Sequence, residues 1–374
     1  MTLKLFACGD VVNKGGNKNW ISHDLREIVQ KSDFAICNFE APTQTSEMLP
    51  IKKAGPHVYQ SVDSPRLLAE AGFTHVSLAN NHIYDFGEKA FKETLSHLTK
   101  NKIGFVGAGE SFNQAYEPIF IEKNGVRLGI LAACENEFGC YYEAELQRSG
   151  YAWLFHPLLE DQIRWMKEKV DHLVLIAHAG VENIPIPIKE WRDRYKRLCD
   201  LGVNVIIGHH PHVPQGYEYH NASLIFYSIG NFYFDTSNFE EKTDDSYSLF
   251  FEFSKDSFNF NIIYHKKING STTSVDINDV NFSLKELNRI LKDGYDLLND
   301  KYALFTYNSY YKGYYQSAAC GANSVKGRLK NYIKKMLGRN PEINYGLLLL
   351  HNIRIESHRF SVQRALNLLY EKLD

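Results

Sequence analysis

Short apolar segments recur along the first 270 residues, and most of them end in a polar side chain. Their length is that of buried strands, and stretches with the 3.6-residue period of helices separate them. Strands that alternate with helices predict βαβ units, with the strand ends at one edge of a sheet. The predicted strands are 3–8, 34–37, 75–79, 172–177, 203–207 and 224–229, and the predicted helices are 22–31, 64–71, 85–100, 157–169 and 189–200. Asp85 is placed to cap the helix at 85–100.

Two further patterns predict hairpins. Asn124-Gly125 separates the apolar segments 117–122 and 126–133, and Asn-Gly is a strong signal for a tight turn. Alternating segments at 248–254 and 258–265 predict the second hairpin.

The composition changes after about residue 270. Ser283 and Glu286 have the spacing of a capping box at a helix start, and 357–372 predicts a last helix. The segment 322–341 carries six Lys or Arg and no acidic residue, on a helical apolar period. It predicts either a solvated helix packed on the protein or a peripheral contact with a membrane surface or anionic polymer. We therefore predict one domain at 1–268 and a mainly helical extension at 269–374.

Composition and charge narrow the class of protein. A hydrophobic content of 44% and a net charge of −2 indicate a globular protein that is not a general nucleic-acid binder. The six cysteines have no C-x-x-C spacing, which favours reduced thiols and a reducing compartment. Without a signal-peptide pattern or a run of 18 apolar residues, we expect a cytoplasmic location.

Candidate chemistry lies at the strand ends. The segment G-H-H-P-H at 208–212 follows an apolar strand, and closely spaced imidazoles there are typical of a metal site. Taken one at a time, the other strand-end donors also fit turns or helix caps. Together they form a mixed oxygen and nitrogen set: Asp10, Asn38, Glu40, Asn81, His82, His178, His210 and His212.

This set suits two divalent ions such as Mn, Zn or Fe, bridged by a carboxylate, because it is too large for one tetrahedral site. Two such ions acidify a water molecule and neutralise charge on phosphoryl oxygens. His82, next to Asn81, is the candidate acid for the leaving oxygen. The sequence has no G-x-S-x-G elbow and no Walker-type phosphate loop, which disfavours a serine hydrolase and an ATP-dependent ligase.

Several motifs, taken in order, resemble the poly-gamma-glutamate capsule-synthesis (CapA) family of the calcineurin-like metallophosphoesterase superfamily. The resemblance covers about residues 1–265. The matching motifs are Gly9-Asp10, N-F-E at 38–40, A-N-N-H at 79–82, H-x-G-x-E at 178–182, G-H-H-P-H-V-P-Q at 208–215 and Y-S-I-G-N-F-Y-F-D at 227–235.

The resemblance implies a four-layer α/β/β/α sandwich with a dinuclear metal site. By position, Asp10 would bind the first ion, Asn38 or Glu40 would stand at the bridging carboxylate, and Asn81 and His178 would serve the second ion. His210 and His212 match the final histidine pair, and His82 matches the catalytic histidine. Glu182, His209 and Asn231 would lie beside the ligands or the substrate.

Some positions depart from the family pattern. Val12 stands where the superfamily has a histidine two residues after the first aspartate, and Ala179 stands where a tryptophan is usual. The last hundred residues have no clear counterpart, and we expect no equivalent of the N-terminal membrane anchor of many members.

The expected function is a metal-dependent phosphoester hydrolase that serves capsule, exopolysaccharide or poly-gamma-glutamate-type synthesis. Its expected partner is a phosphorylated or polymeric surface-polysaccharide precursor, with no nucleic acid. The alternative is a non-catalytic accessory protein of a capsule-assembly complex, with a structural or vestigial metal site. The missing histidine at Val12 favours that alternative.

Overall fold

Strands predominate up to residue 274, and helices predominate after it. The computed structural model describes residues 2–143, 147–235, 244–320 and 345–371. Two compact units divide the chain: one contains Met1–Ile51 and His57–Tyr295, and the other contains Lys52–Pro56 and Asp296–Asp374.

The strands in the described residues are β1 Leu3–Val12, β2 Phe34–Phe39, β3 His75–Ser77, β4 Gly104–Val106, β5 Ala108–Gly109, β6 Ile119–Lys123, β7 Val126–Cys134, β8 Cys140–Tyr141, β9 Gly150–Ala152, β10 His172–His178, β11 Val205–His209, β12 Tyr217–His220, β13 Ser223–Phe226, β14 Asn231–Phe234, β15 Ser246–Phe253, β16 Phe258–Ile268 and β17 Ser271–Ser274. The helices there are α1 His23–Gln30, α2 Ser64–Ala71, α3 Gly87–Lys100, α4 Phe112–Ala115, α5 Pro157–Lys167, α6 Lys189–Leu201, α7 Leu284–Lys292, α8 Tyr295–Thr306, α9 Lys312–Cys320, α10 Tyr345–Arg354 and α11 Glu356–Tyr370.

Two large sheets dominate the first unit. In the described residues, the first has the order β17-β16-β15-β1-β2-β3-β4, with β14 also paired to β1. The second has the order β12-β13-β11-β10-β7-β6. Strands β1 to β4 run parallel, as do β7, β10, β11 and β13, so their carboxyl ends collect at one edge of each sheet.

Aromatic side chains fill the space between the two sheets. The Phe226 ring, on the second sheet, lies 6.1 Å from the Phe251 ring and 5.3 Å from the Phe260 ring on the first. Alternate residues of β10, Val174 and Ile176, belong to the same buried cluster. The period-2 alternation of each strand thus gives one face to the partner sheet.

The opposite faces of the sheets pack against helices. On the second sheet, Gly129 of β7 leaves room for α5, because a Cβ there would lie 2.2 Å from Met166 Cε. On the first sheet, the Phe6 ring packs 5.9 Å from that of Phe73, which directly follows α2 and its C-cap Gly72. These layers confirm the predicted four-layer α/β/β/α class with a helical C-terminal region.

Close backbone approach brings β14 beside the end of β1. A Cβ at Gly9 would lie 1.9 Å from Gly230 O, so both motifs depend on glycine at this contact. The resulting register pairs Asp10 with Asn231, although 221 positions separate them in the chain.

Local predictions are largely confirmed. β6 and β7 form the first hairpin through Asn124 and Gly125, both at positive φ, and β15 and β16 form the second. Ser283 caps α7 by accepting from Glu286 N. The helix predicted at 85–100 begins at Gly87 instead, and the strand predicted at 224–229 ends at Phe226.

The second unit is helical in its described part. Tyr307, Tyr311, Val362 and Ala365 form its buried cluster, and the Tyr311 ring lies 4.6 Å from that of His358. The predicted basic segment 322–341 lies entirely within 321–344, outside the described residues. The predicted boundary between a domain at 1–268 and an extension at 269–374 stays a prediction.

Replacing Phe226 by alanine should lower the free energy of unfolding by about 3–5 kcal/mol, because it empties a buried ring site between the sheets. Phe120→Ala is the matched control, since Phe120 is 51% exposed, and it should cost less than about 1 kcal/mol. Urea unfolding followed by circular dichroism measures both. Equal losses in the two variants would contradict the proposed sheet packing.

Candidate metal centre

The carboxyl ends of both sheets supply the side chains of one buried polar cluster. Its oxygen donors lie in the last residues of β1 and β2 or in the turns that follow β2 and β3, and β10, β11 and the turn after β11 supply imidazoles. Each cluster member is at most 9% exposed: Asp10, Asn38, Glu40, Asn80, Asn81, His82, Asp85, His178, His209, His210, His212 and Asn231.

The turn after β11 aims its imidazoles with an unusual backbone. His210 has φ 96° and His212 has φ 59°, on either side of Pro211. Left-handed conformations at non-glycine residues cost about 1–3 kcal/mol and concentrate at functional sites. Asn183 N donates to Pro211 O at 2.9 Å, which holds the turn against the end of β10.

Four donor atoms, His178 Nε2 and three neighbours of it, lie close together at a location that we call position A. From that nitrogen, His210 Nδ1 and Asn81 Oδ1 each lie 3.1 Å away, and Glu40 Oε1 lies 3.6 Å away. Position A therefore offers two imidazole nitrogens, one amide oxygen and one carboxylate oxygen.

A second group, position B, shares Glu40 with the first and adds Asp10 and His212. His212 Nε2 lies 3.7 Å from Glu40 Oε1, and its Nδ1 lies 3.4 Å from Asp10 Oδ2. His209 Nδ1 is 3.2 Å from Asp10 Oδ1, as close as the predicted ligands are to one another. Glu40 thus lies between the two positions, where a bridging carboxylate would be needed.

The separations measured from His178 Nε2 at position A fit a divalent cation. Metal–ligand bonds of about 2.0–2.2 Å at tetrahedral or octahedral angles place neighbouring donor atoms roughly 2.8–3.6 Å apart. Three buried donor atoms in the cluster also lack a hydrogen-bond partner among the described residues: Asp10 Oδ2, Glu40 Oε1 and His209 Nδ1. Buried polar atoms are normally satisfied, so these orphans are consistent with metal binding.

Asn38 holds the carboxylates by hydrogen bonds. Its Nδ2 donates to Asp10 Oδ1 at 2.8 Å and to Glu40 Oε2 at 3.4 Å. Its Oδ1 accepts from Asn80 Nδ2, and Asn80 is itself oriented by Ile83 N and Phe39 O. In this arrangement the amide nitrogen of Asn38 faces the site, so its role as a ligand stays a prediction.

Asn231 orients the ring of His212. Asn231 Nδ2 donates to Asp244 Oδ1 at 3.3 Å, so its Oδ1 faces His212 Nδ1 at 2.9 Å and accepts the ring proton. His212 Nε2 is thereby left to bind a cation. A hydrogen bond from the second ring nitrogen is the usual support for a ligating histidine.

His82 and Asp85 form a buried pair beside the cluster. His82 Nδ1 lies 2.7 Å from Asp85 Oδ2, which also accepts from Val58 N at 2.7 Å. Asp85 was predicted to cap the following helix. That prediction is wrong, because α3 begins at Gly87 with Phe86 as its N-cap.

Comparison with known proteins identifies the family. Residues 4–236, more than half of the chain, match the family model described as bacterial capsule synthesis protein PGA_cap. The chain belongs to this PGA_cap family. It is 32% identical over 232 residues to the capsule biosynthesis protein CapA of Bacillus anthracis, a match that covers 60% of this chain and 56% of that protein.

A second relative is the PGA biosynthesis protein CapA of Bacillus subtilis, 31% identical over 212 residues and matched over 56% of each chain. A probable polyglutamine synthesis accessory protein of Mycobacterium tuberculosis is 25% identical over 170 residues, 41% of this chain and 43% of that one. The PGA_cap chain therefore spans about half the length of the curated relatives that it matches.

Solved structures resemble the chain more distantly. A phosphatase from Mycoplasma pneumoniae has a TM-score of 0.44 and 16% identity, covering 77% of this chain and 99% of its own. The calcineurin-like phosphoesterase YfkN of Bacillus subtilis has a TM-score of 0.41 and 12% identity, covering 80% and 98%. Separately, none of the helices described for this chain combines the length and apolar character needed to cross a bilayer.

The pKa values of the two carboxylates in the PGA_cap site are shifted in opposite directions. Burial acts to raise the pKa of Asp10, but the adjacent imidazoles of His209 and His212 hold it well below its usual range. Burial and the charge of Asp10 raise the pKa of Glu40 well above its usual range. Without a cation, the ionised form of Glu40 is therefore costly, and a bound cation would relieve that cost.

The imidazoles of position A resist protonation. Burial, reinforced by the charge of His210, lowers the pKa of His178 well below its usual range. Burial lowers the pKa of His210 to about 4. Both rings are thus neutral near pH 7, as metal ligation requires.

Val12, the departure noted in the sequence, is part of an apolar wall. It is fully buried with Ala41, Val58 and Phe234, and the Phe234 ring lies 5.2 Å from that of His212. The apolar cluster that contains Val12 therefore borders position B on the His212 side.

Three further acidic residues lie in or beside the cluster. Glu135 and Glu137 were not predicted, yet they group with His210 as donors within 4.8 Å of one another. They follow β7, whose last residue Cys134 pairs with His178, so the strand-end rule would have found them once this pairing was known. Glu182 is exposed beside the site, and its charge acts on Glu40 and His212.

Glu40→Gln should stabilise the cation-free protein at pH 7, because burial and the charge of Asp10 raise the pKa of the Glu40 carboxyl and make its ionised form costly in the folded state. The folded-state pKa of Glu40 is raised, so the gain should disappear below about pH 4.5, where both states bind the proton. With Mn²⁺ at about 100 times its Kd, wild type should gain about 2.7 kcal/mol and the variant less.

Urea unfolding in EDTA and in Mn²⁺ measures the free energy of unfolding of wild type and variant in each condition. Glu117→Gln, a change at an exposed glutamate, is the control and should behave as wild type in both conditions. A Glu40→Gln protein that is less stable than wild type in EDTA would contradict the assigned electrostatics.

Proposed function

We propose that this chain is a metal-dependent phosphoester hydrolase that acts in the synthesis of a capsule or a related surface polymer. The observation that carries the proposal is the convergence of two donor groups on Glu40, with the His82–Asp85 pair beside them. Buried imidazoles and carboxylates at this spacing, gathered where the parallel strands of two sheets end, have the donor types that metal-assisted hydrolysis requires.

Two divalent ions, Mn, Zn or Fe, are the proposed cofactors. Position A would use Glu40, Asn81, His178 and His210, and position B would use Asp10, Glu40 and His212, with His209 and Asn38 alongside. Bound at these positions, the ions would acidify water and neutralise charge on phosphoryl oxygens.

The protein residues divide the remaining work. Asp85 accepts the Nδ1 proton of His82. The ring, when protonated at both nitrogens, would then present its Nε2 proton to the leaving oxygen and return to the neutral form after giving it up. Asn38 and Asn231 keep the carboxylates and the His212 ring aligned through their hydrogen bonds. The apolar wall at Val12 excludes water from one side of position B.

The proposed substrate class follows from the relatives. The matched Bacillus proteins are named for capsule and PGA biosynthesis. A phosphorylated or polymeric precursor of a surface polymer is therefore the proposed partner. A peripheral membrane contact through 322–341 remains a proposal, and that segment lies outside the described residues.

An accessory role is the second candidate. Two observations favour it: Val12 supplies no ligand, and the matched Mycobacterium tuberculosis protein is named an accessory protein. In that case the site would bind cations but would not catalyse the hydrolysis of a phosphoester.

His82→Ala should lower kcat on an aryl phosphate by about 10²–10⁴-fold, since it removes the proposed acid while leaving the proposed ligands in place. Metal content by elemental analysis should stay at the wild-type value. His23→Ala is the matched control, because the His23 side chain is 87% exposed on α1, and its kcat should be unchanged.

Fully metallated wild type that is inert on a broad phosphoester panel would exclude the hydrolase and leave the accessory role. Polymer production in cells then separates the cases further. Normal polymer with both His82→Ala and Asp10→Ala would show that the site is not needed at all.

A further inference from the structure

A buried ion pair lies behind the Asn231 amide that orients His212. Lys267 Nζ, on β16, donates to Asp244 Oδ2 at 3.0 Å, and the two side chains are 8% and 2% exposed. Lys267 Nζ also donates to Phe234 O at 2.9 Å, on the strand that carries Asn231. The pair is therefore fixed to β14 next to the candidate centre.

Hydrogen bonds connect this pair to His212 in one direction. An ionised carboxylate has no proton to give, so Asp244 Oδ1 accepts from Asn231 Nδ2 at 3.3 Å. The amide then presents its oxygen, and not its nitrogen, to His212 Nδ1 at 2.9 Å. Asp10 Oδ2 lies farther from the same ring nitrogen, at 3.4 Å, and is itself a proposed ligand of position B. The direction of the Asn231 amide thus decides which nitrogen of the His212 ring carries the proton.

Lys267 favours the form of Asp244 that this direction requires. Burial raises the pKa of the Asp244 carboxyl, and the ammonium of Lys267 acts against that rise. A protonated Asp244 could donate to Asn231 and reverse the amide, whereas an ionised Asp244 can only accept. The lysine therefore supports the observed direction of the Asn231 amide.

Stability alone does not account for the ion pair. A buried ion pair can often be replaced by apolar side chains without loss of stability, so its presence here favours a role in specifying geometry. Asp244 also has φ 47°, a left-handed conformation that is costly for a residue other than glycine and concentrates at functional sites. Both residues lie beyond 4–236, the segment that the family model matches.

We propose that Asp244 and Lys267 are positioning residues for position B, which act on His212 through the amide of Asn231. They keep the ring proton on Nδ1 and leave Nε2 to bind a divalent cation. The proposal rests on the proposed metal centre, because position B is where the orientation of His212 has its use. The ring proton itself can be located without any metal.

Asp244→Asn tests this inference with a minimal change of shape. The ammonium of Lys267 can bond only to an oxygen, so the new amide would turn its NH2 towards Asn231. Asn231 would then present its own NH2 to His212 Nδ1, and the ring proton would move to Nε2. In EDTA at alkaline pH, two-bond ¹H–¹⁵N correlation spectra should show His212 protonated at Nδ1 in wild type and at Nε2 in the variant. His212→Gln assigns the signal.

The affinity for Mn²⁺ is the second measurement. Titration calorimetry of Asp244→Asn should show one class of site weakened about 10–100-fold, the usual effect of changing a group that supports a ligand, with the other class unchanged. Asp256→Asn is the matched control, because Asp256 is exposed in the turn between β15 and β16. It should keep the wild-type tautomer of His212 and both affinities.

The outcomes separate this inference from the metal centre itself. A wild-type tautomer or unchanged Mn²⁺ affinities in Asp244→Asn overturn the inference, and so does a lower melting temperature as the only effect, which would make the pair structural. A wild type that binds neither Mn²⁺ nor Zn²⁺ overturns the proposed centre. In that case a His212 proton that still moves to Nε2 would retain the orienting role of the pair, and one that stays on Nδ1 would overturn both.

If Asp244→Asn does not fold, the double variant Asp244→Leu/Lys267→Met carries the test. It removes both charges together and leaves neither of them buried without its partner. Asn231 Nδ2 then loses its carboxylate acceptor, so His212 should populate both tautomers and one Mn²⁺ affinity should fall at least about tenfold. A His212 ring protonated only at Nδ1, with wild-type affinities, would overturn the inference.

Discussion

Burial of Asp10 and Glu40 is the constraint on which the rest of this structure depends. Both carboxylates are removed from water at the joint edge of two sheets, and each has an oxygen without a hydrogen-bond partner among the described residues. Burying unpaired charge is among the costliest things a fold can do. Interactions with the surrounding imidazoles and with the amide of Asn38 offset only part of that cost. The arrangement therefore fits a preorganised cation site.

The sandwich makes that arrangement possible. Parallel strands bring their carboxyl ends to one edge, and aromatic packing around Phe226 fixes one sheet against the other. Gly9 and Gly230 permit the backbone contact that sets Asn231 opposite Asp10. Residues far apart in the chain thus act together, and the strained His210–His212 turn is supported by packing at the end of β10.

The donors at the strand ends could be predicted from the sequence, because short apolar segments are followed by or end in polar side chains such as Asp10 and His178. Long-range pairing was not readable. Glu135 could not be assigned to the site without knowing that β7 lies beside β10, and a cap at Asp85 could not be told apart from a partner for His82. The amide direction of Asn38 likewise depends on Asn80, through contacts that sequence spacing does not encode.

The buried donor set supports the central proposal that divalent cations bind around Glu40. Anomalous X-ray scattering at the manganese edge, from crystals of the Mn²⁺-loaded protein, tests that claim most directly. The account predicts anomalous peaks within about 2.0–2.3 Å of Glu40 and of His178 or His212. Density typical of water at those places, with no anomalous signal at saturating Mn²⁺, would contradict it.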